Sequence, residues 1–504
     1  MDAPRRSRIE AAALAAIVVM GVGIRLAFLS RPMQLDESYS YNEYAAKPVL
    51  DGLSWYTLPN NHLLNTLLVH LSTEAFGKAR WAVRLPAFLA GVALIPATFA
   101  MVAGLRGRMV ALTAAALVAA SEPLIDYSTN SRGYTIVALC TALLVATARR
   151  IMADGGRARD WAWFTLLPVL GGFAIPIMLY PYGGVALWLT IASRWPGNDR
   201  RGRVPVRLDR LIVSGLFAGL LTVALYLPAI LRTGVKSVAG NQYVSPRPWA
   251  EVLVGLPESL GLAWLQWSSD MPIALAALLL LAGAASLGRV LIGRGDRLAP
   301  GGVILAVLAW TFAVAAAQRV IPYDRVWHFA IPLYAACVAD GLSMAAARLP
   351  AAARPRGPWP GPMLAVGLCA ALTAFVATGE TLGPKYWLTP LHADEMVRRL
   401  KPALGPDDAV VARAPADSPF KYEFLRHEVP VEYLYDYRIA RARRLFVLVL
   451  SDHQTFDEVL DMFQVPASRY TPPRIWLAEP DAILYVMERR DPAAGDDAPG
   501  TATR

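Results

Sequence analysis

Polar side chains that could transfer a group occur in four short segments of an otherwise apolar chain. These are Asp36-Glu37-Ser38-Tyr39, Asn60-Asn61-His62, the run from Asp126 to Tyr134, and Tyr323-Asp324-Arg325. A carboxylate can take the proton from an attacking hydroxyl. Two arginines can stabilise the negative charge that grows on a departing phosphate. The residue types therefore predict displacement of a phosphate leaving group by a hydroxyl.

Asp36 is the predicted general base. An Asp-Glu pair alone is uninformative, because Asp394-Glu395 and Asp457-Glu458 repeat it. Asp36 differs because it lies just beyond a long apolar run, where a carboxylate is partly desolvated. Adjacent side chains cannot both point at one atom, so we assign Glu37 a secondary, orienting role. The alternative is a helix-capping acid at a membrane surface.

Arg132 and Arg325 are predicted to bind the donor phosphate, because each lies beside the outer end of an apolar run. A bidentate guanidinium suits phosphate better than a point charge does. The alternative for either residue is an interfacial arginine that extends toward lipid phosphates.

The remaining candidates are neutral side chains that could bind phosphate or sugar. His62 and Asn61 could bind phosphate or sugar hydroxyls, although Asn61 at a helix start could equally be a cap. Tyr134 and Tyr323 could pack against a sugar ring, although tyrosines are also common in the aromatic belt of membrane proteins.

Cofactor and metal sites are not predicted. The histidines lack the His-Glu-x-x-His spacing, and there is no Gly-x-Gly-x-x-Gly or P-loop sequence. Asp36 and Glu37 could hold a divalent cation, but no third ligand is evident. Cys140, Cys337 and Cys369 lie inside apolar runs and are expected to be core residues.

The composition is that of a membrane protein. Hydrophobic residues make up 55% and charged residues 17% of the 504 residues, and the mean hydropathy is +0.38. Soluble domains are typically less apolar and more charged. The net charge of +10 comes mainly from arginines between apolar runs, so membrane lipids are the expected surroundings and a nucleic-acid partner is not implied.

Nine apolar runs are long enough to cross a hydrocarbon core. They lie near 10–29, 85–104, 109–126, 134–150, 211–230, 271–292, 301–318, 326–346 and 360–379. The stretch from Trp161 to Ser193 is too long for one span, and we predict two short spans that meet at an outer turn around Tyr180-Pro181-Tyr182. The total is about eleven transmembrane helices.

Arginine placement favours this count. With a cytoplasmic N-terminus, every inner segment is rich in arginine, as the positive-inside rule requires. The inner segments carry Arg5, Arg6, Arg8; Arg106, Arg108; Arg149, Arg150, Arg157, Arg159; the six arginines from Arg194 to Arg210; Arg289, Arg294, Arg297; and Arg348, Arg354, Arg356. The outer loops are then 30–84, 126–134, 231–270 and 319–326. Two interfacial helices are predicted in them, at His62–Phe76 and Trp249–Trp267.

The chain divides by composition into three parts. Residues 1–379 form the predicted membrane domain, and 380–490 form a small α/β domain outside the membrane. Its expected strands are Ala409–Ala412, Arg444–Leu450 and Ala482–Met487, and its expected helices are His392–Leu400 and Gln454–Phe463. Residues 491–504 are expected to be disordered.

The four polar segments resemble those of the GT-C superfamily of membrane glycosyltransferases. The resemblance is to the bacterial relatives of the protein O-mannosyltransferases and of the lipid A aminoarabinose transferase, which are of glycosyltransferase family 39 type. It rests on Leu35–Tyr39, Asn60-Asn61-His62, Arg84-Leu85-Pro86 and Ser131–Tyr134 in the family's order, with a weaker match at Tyr323–Pro332. Many relatives follow the histidine with Pro-Leu, whereas this chain has Leu63-Leu64.

The resemblance implies a polyprenyl-phosphate sugar donor and an inverting displacement on the outer face of a bacterial plasma membrane, with Asp36 matching the catalytic acid. The acceptor would be a hydroxyl on a lipid, glycan or protein. A transporter or flippase of lipid-linked sugars is the alternative, although transporters usually place polar groups at mid-bilayer within paired repeats. A membrane-anchored binding protein is a third class, for which eleven spans are more than an anchor needs.

Overall fold

A computed structural model describes residues 3–194, 206–240, 243–293, 299–350, 360–379, 390–451 and 453–490. Eight of the helices in these ranges have the length and composition needed to cross a membrane, and one bent pair would make a ninth span. The chain is therefore a multi-pass membrane protein, and the predicted α-helical membrane fold class is confirmed. The predicted disordered tail lies outside the described residues, as does most of the segment between Arg194 and Arg210.

The helices follow the predicted apolar runs closely. In chain order they are α1 Ala3–Phe28, α2 Leu35–Ser40, α3 Val49–Ser54, α4 Leu63–Phe76, α5 Arg80–Arg106, α6 Arg108–Ala119, α7 Glu122–Ser128, α8 Tyr134–Asp154, α9 Ala158–Ala174, α10 Leu179–Arg194, α11 Leu208–Thr233, α12 Val235–Ala239, α13 Trp249–Trp267, α14 Ile273–Leu291, α15 Pro300–Gln318, α16 Ile331–Arg348 and α17 Pro360–Thr378. A π turn at Tyr41–Ala45 follows α2, and a 3₁₀ turn at Asp324–Ala330 precedes α16. The two predicted interfacial helices correspond to α4 and α13.

The stretch from Trp161 to Ser193 forms two helices, but the break is not where the sequence analysis put it. The chain leaves α9 at Ile175, which is extended, and a 3₁₀ turn at Pro176–Met178 leads into α10. Tyr180-Pro181-Tyr182 lies in the first turn of α10. Proline is tolerated in a first helical turn, where the missing N–H has no intrahelical partner, so Pro181 does not break the helix.

Two buried arginines fix the ends of helices near the candidate residues. Arg25 donates to the carbonyl of Ala119 at the end of α6 and to Ser128 Oγ at the end of α7, over 2.8 and 3.0 Å. These bonds cross the break at which α6 and α7 bend by 60°. Arg84 donates to the carbonyl of Leu29 over 2.9 Å, just past the end of α1. Both cations satisfy carbonyls that a helix end leaves unpaired.

Ion pairs join helix ends that were predicted to face the cytoplasm. Glu10 in α1 pairs with Arg108 over 2.5 Å, and Arg106 pairs with Asp340 over 2.9 Å. The start of α1, the α5–α6 connection and the C-terminal half of α16 therefore lie together. A helix that crosses a membrane has its other end on the other side, so the opposite ends of α1 and α16 lead toward the polar segments.

The C-terminal residues form a four-stranded sheet with helices on both faces. The strands are β1 Asp408–Ala412, β2 Arg444–Leu450, β3 Arg474–Ala478 and β4 Ala482–Glu488, in the order β1-β2-β4-β3 with only β1 and β2 parallel. The helices are α18 Ala393–Leu400, α19 Asp417–Arg426, α20 Asp436–Ile439 and α21 Phe456–Met462. The three predicted strands and two predicted helices are present. Two elements, β3 and α19, were not predicted from the sequence. β3 is a mostly exposed edge strand without a buried face.

Two compact units can be distinguished. Unit 1 comprises 1–30, 44–77 and 81–383, and unit 2 comprises 31–43, 78–80 and 384–504. The grouping of two pieces of the first loop with the C-terminal residues was not predicted from the sequence. We call residues 31–43, which carry Asp36 and Glu37, the Asp36 segment.

Candidate active site

The second and third polar segments meet in unit 1 through His62. This residue directly precedes α4, and Gly133 directly precedes α8. The backbone N–H of Gly133 donates to Nδ1 of His62 over 2.9 Å. Next to it, Arg132 Nη2 lies 3.4 Å from Oδ1 of Asn60. Segments about 70 residues apart in sequence thus form one buried polar group.

His62 is held in its neutral form. Its side chain is buried, and burial followed by the positive charges of Arg132 and Arg325 lowers its pKa well below the usual value. Because Nδ1 accepts the Gly133 N–H, the ring proton resides on Nε2. His62 can therefore donate one hydrogen bond. Both predicted phosphate-binding arginines are close enough for their charges to lower its pKa.

Three aromatic rings pack beside this group. The ring of Tyr134 lies edge-on to His62 with centroids 5.4 Å apart, and Tyr127 lies edge-on to Tyr134 at 4.8 Å. His328 lies 4.7 Å from Tyr127 and 6.0 Å from Tyr134. The rings thus join residues of the second and third segments, and the charge of Arg325, from the fourth segment, acts on the pKa of His62.

His328 is a candidate that the sequence analysis considered only as a metal ligand. It is fully buried, and within the described residues neither ring nitrogen has a hydrogen-bond partner. An unpaired buried polar group costs about 1–3 kcal/mol. Its position three residues after Arg325, inside an apolar run, was the available sequence signal, because such a residue needs a polar partner.

Tyr323 makes contacts different from those of Tyr134. It is 43% exposed, its hydroxyl donates to the carbonyl of Tyr243 over 2.7 Å, and Arg325 lies over its ring at 5.1 Å. Tyr323 is therefore placed to orient Arg325 by a cation–π contact. A contact between Tyr323 and a sugar stays a prediction.

Asn61 has its amide engaged within its own loop. Its Nδ2 donates to the carbonyls of Gly52 and Trp55 over 2.8 and 3.0 Å, and its Oδ1 accepts from Thr66 over 2.8 Å. Both N–H donors are used. The neighbouring Asn60, rather than Asn61, contacts Arg132.

The predicted catalytic acids belong to unit 2, and the other six candidates belong to unit 1. Asp36 is partly buried and lies in α2, whereas Glu37 is fully buried. Glu37 Oε1 accepts the backbone N–H of Gln34 over 2.9 Å and so caps its own helix. A capping acid is the alternative that the sequence analysis kept open, and it applies to Glu37.

No family model and no curated protein sequence matches the chain. ArnT from Cupriavidus metallidurans superposes in its apo state with a TM-score of 0.61 at 11% identity, covering 93% of this chain and 97% of ArnT. ArnT bound to undecaprenyl phosphate gives 0.59 at 12% identity over the same shares. The chain has the GT-C membrane fold.

An oligosaccharyltransferase from Archaeoglobus fulgidus also resembles the chain, with a TM-score of 0.48 at 13% identity over 94% of this chain and 72% of the archaeal one. At identities as low as these, a structural likeness concerns the fold alone. The chemistry must be argued from the residues of this chain.

One acidic cluster of the chain has the ligand types of a metal site. Asp394, Glu423 and His427 in unit 2 have ligand atoms within 4.8 Å of one another. Arg80 and Arg426 lie 2.6 and 2.9 Å from Glu423. Because these guanidinium groups already neutralise the carboxylates, the cluster is an ion-pair network that links residues 78–80 to α18 and α19.

Proposed function

We propose that the protein is an inverting glycosyltransferase that moves a hexose or pentose from a polyprenyl-phosphate donor to a hydroxyl acceptor. The observation that carries the proposal is the buried polar group in unit 1. There the charges of Arg132 and Arg325 help keep His62 neutral, and the rings of Tyr134, Tyr127 and His328 pack beside it. The GT-C fold supports it, and one neighbour with this fold is ArnT with undecaprenyl phosphate bound.

Arg132 and Arg325 bind the donor phosphate in this proposal. Each guanidinium offers a planar set of donors that matches phosphate oxygens. His62 adds an Nε2–H donor, and His328 adds a ring nitrogen that has no partner among the described residues. Asn61 contributes by holding the loop that presents His62. Tyr134 contributes an aromatic face for the sugar or the lipid carrier.

Asp36 is the general base. The acceptor hydroxyl gives its proton to the Asp36 carboxylate while its oxygen forms a bond to the anomeric carbon. The bond from that carbon to the phosphate oxygen breaks, and its electron pair leaves with polyprenyl phosphate. The positive charges of Arg132 and Arg325 stabilise the leaving oxygen. Attack opposite the leaving group inverts the anomeric centre.

We place this reaction on the outer face of a bacterial plasma membrane. The N-terminus would be cytoplasmic and residues 380–490 extracytoplasmic, because the short arginine-rich segments then lie inside. Nucleotide sugars are expected in the cytoplasm, so a lipid carrier would deliver the sugar outside. The acceptor is a hydroxyl on a lipid, a glycan or a protein.

The test is a donor panel. Purified protein is incubated with polyprenyl-phosphate sugars that differ in the sugar, and released polyprenyl phosphate is measured with and without candidate acceptors. Release from at least one donor, with an inverted product, is expected. Failure of every donor to release polyprenyl phosphate, together with movement of the intact donor across vesicle membranes, would favour the flippase alternative.

A further inference from the structure

The Asp36 segment is too short to hold its own shape. It contains one six-residue helix, α2, followed by the π turn at Tyr41–Ala45. Isolated helices shorter than about 12 residues are marginal in water. Yet Tyr41 is 3% and Asn42 is 2% exposed. Other residues must therefore cover this segment and fix its conformation.

The covering element within unit 2 is α19. Asn42 Nδ2 donates to the carbonyl of Ser418 over 2.8 Å. The ring of Tyr41 meets the fully buried Tyr422 edge-on at 5.4 Å. Lys421 Nζ lies 2.5 Å from Glu43. Positions 418, 421 and 422 are spaced as neighbours on one face of a helix. A single face of α19 therefore contacts the C-terminal end of the Asp36 segment.

The same helix also holds residues 78–80. The hydroxyl of Tyr422 donates to the carbonyl of Lys78 over 2.8 Å, and Lys78 Nζ donates to the carbonyl of Leu425 over 3.3 Å. Arg80 Nη2 lies 2.6 Å from the buried Glu423. Both loop pieces of unit 2 are thus attached to α19 by charged, polar and aromatic contacts.

We propose that α19 positions Asp36 for proton removal, with Asn42, Lys421 and Tyr422 as positioning residues. The proposal rests on the proposed role of Asp36. A general base must stay within hydrogen-bond reach of the proton that it removes, and a 1 Å misplacement can cost about 10²-fold in rate. The C-terminal residues would therefore control turnover without touching the sugar donor.

Lys421 is the most informative position for a test. Its ammonium group faces Glu43 and also acts on Asp417, whose pKa is raised by burial and by Glu43 and lowered by Lys421. Reversal of this charge puts three carboxyl groups together and should push the end of the segment away from α19. A second reversal at Glu43 restores the attraction between opposite charges.

The experiment compares Glu43→Lys, Lys421→Glu and the double variant in polyprenyl phosphate release. Each single variant is expected to lose about tenfold or more in kcat, while the KM for the donor changes less than about twofold, since the donor phosphate is assigned to other residues. The double variant should recover to within about threefold of the wild-type kcat. A general loss of folding would not be repaired by a second charge reversal.

The matched control is the Arg474–Glu488 ion pair of unit 2, which spans 2.7 Å between β3 and β4. Reversal of either of its charges should leave kcat near the wild-type value. The proposal is overturned if Lys421→Glu keeps normal kcat, if the double variant stays as slow as the single ones, or if the control variants lose as much.

Hydrogen exchange of the backbone amides in α2 separates the two proposals. Exchange should be faster in Lys421→Glu and return to normal in the double variant. If this pattern is seen but Asp36→Asn retains full turnover, the general-base assignment fails and positioning for catalysis fails with it. If Asp36→Asn is inactive while α2 exchange and kcat are insensitive to Lys421→Glu, only the positioning proposal fails.

Discussion

The N–H of Gly133 and Nδ1 of His62 form a 2.9 Å hydrogen bond between residues 71 positions apart. The bond connects the start of α4 to the start of α8 and leaves the proton of the neutral imidazole on Nε2. His62 is therefore arranged as a hydrogen-bond donor near two arginines rather than as a base.

The neutral state of His62 predicts a pH dependence of stability. Its pKa is well below 6.5 in the folded protein because of burial and the charges of Arg132 and Arg325, whereas an unfolded histidine titrates near about 6.5. The unfolded state therefore binds more protons as the pH falls below about 6.5, and stability is lost there. Tm of the wild type should fall between pH 7 and pH 5 by more than Tm of His62→Gln. Parallel curves for both proteins would show that the pKa of His62 is not lowered on folding.

Arg132→Ala and Arg325→Ala are expected to lower kcat/KM for the donor by about 10²- to 10³-fold, because each loses stabilisation of the leaving phosphate. The lysine variants keep the positive charge but lose the bidentate hydrogen bonding to phosphate, so they should be only partly active. Arg247, an exposed arginine of unit 1, provides the control, and Arg247→Ala should behave like the wild type. Near-normal turnover in both alanine variants would remove these arginines from the mechanism.

His328→Phe should reduce activity without reducing stability. The phenyl ring can keep the edge-on contacts with Tyr127 and Tyr134 while it removes two buried nitrogens without partners among the described residues, so Tm should be unchanged or higher. Loss of a hydrogen bond to a charged phosphate should reduce kcat/KM by about 10- to 100-fold.

His70→Phe is the control for His328→Phe, because His70 Nδ1 is paired with the carbonyl of Ala45 over 2.9 Å. This variant should lose stability rather than turnover. A His328→Phe enzyme that is fully active would assign His328 a packing role only.

Asp36→Asn should lose about 10²- to 10⁴-fold in kcat, the usual contribution of a positioned base, with donor binding nearly intact. Glu37→Gln keeps an oxygen that can accept the Gln34 N–H, so it should retain turnover, whereas Glu37→Ala should lower Tm through loss of the cap. Transfer rates and Tm measured for all three variants decide between the acids. An active Asp36→Asn with an inactive Glu37→Gln would move the base to Glu37.

The orientation of the chain can be tested with introduced cysteines at exposed positions. Ser451→Cys should react with an impermeant thiol reagent on intact cells, and Ala153→Cys, in the last turn of α8, only after permeabilisation. The native cysteines are buried and should contribute little background. The reverse pattern of labelling would invert the proposed topology.

The sequence by itself determined the membrane class, the nine long apolar runs and three of the four strands. Hydropathy and the periodicity of apolar residues are local properties of the sequence, so they can be evaluated without knowing which elements pack together. The order and residue types of the polar segments also predicted Asp36, His62, Arg132 and Arg325 as site residues. The turn near residue 180 was misplaced because both Pro176 and Pro181 are turn formers, and only Pro176 follows an extended residue in the folded chain.

Only the tertiary structure decided which polar atoms meet. The partners of Asn61 within its own loop, the helix cap made by Glu37 and the burial of the His328 nitrogens, which have no partner among the described residues, all depend on how the helices pack. The attachment of the Asp36 segment to α19 joins residues more than 370 positions apart. A pattern along the chain cannot encode such pairs, since the burial and partner of a side chain are set by surfaces that come together only on folding.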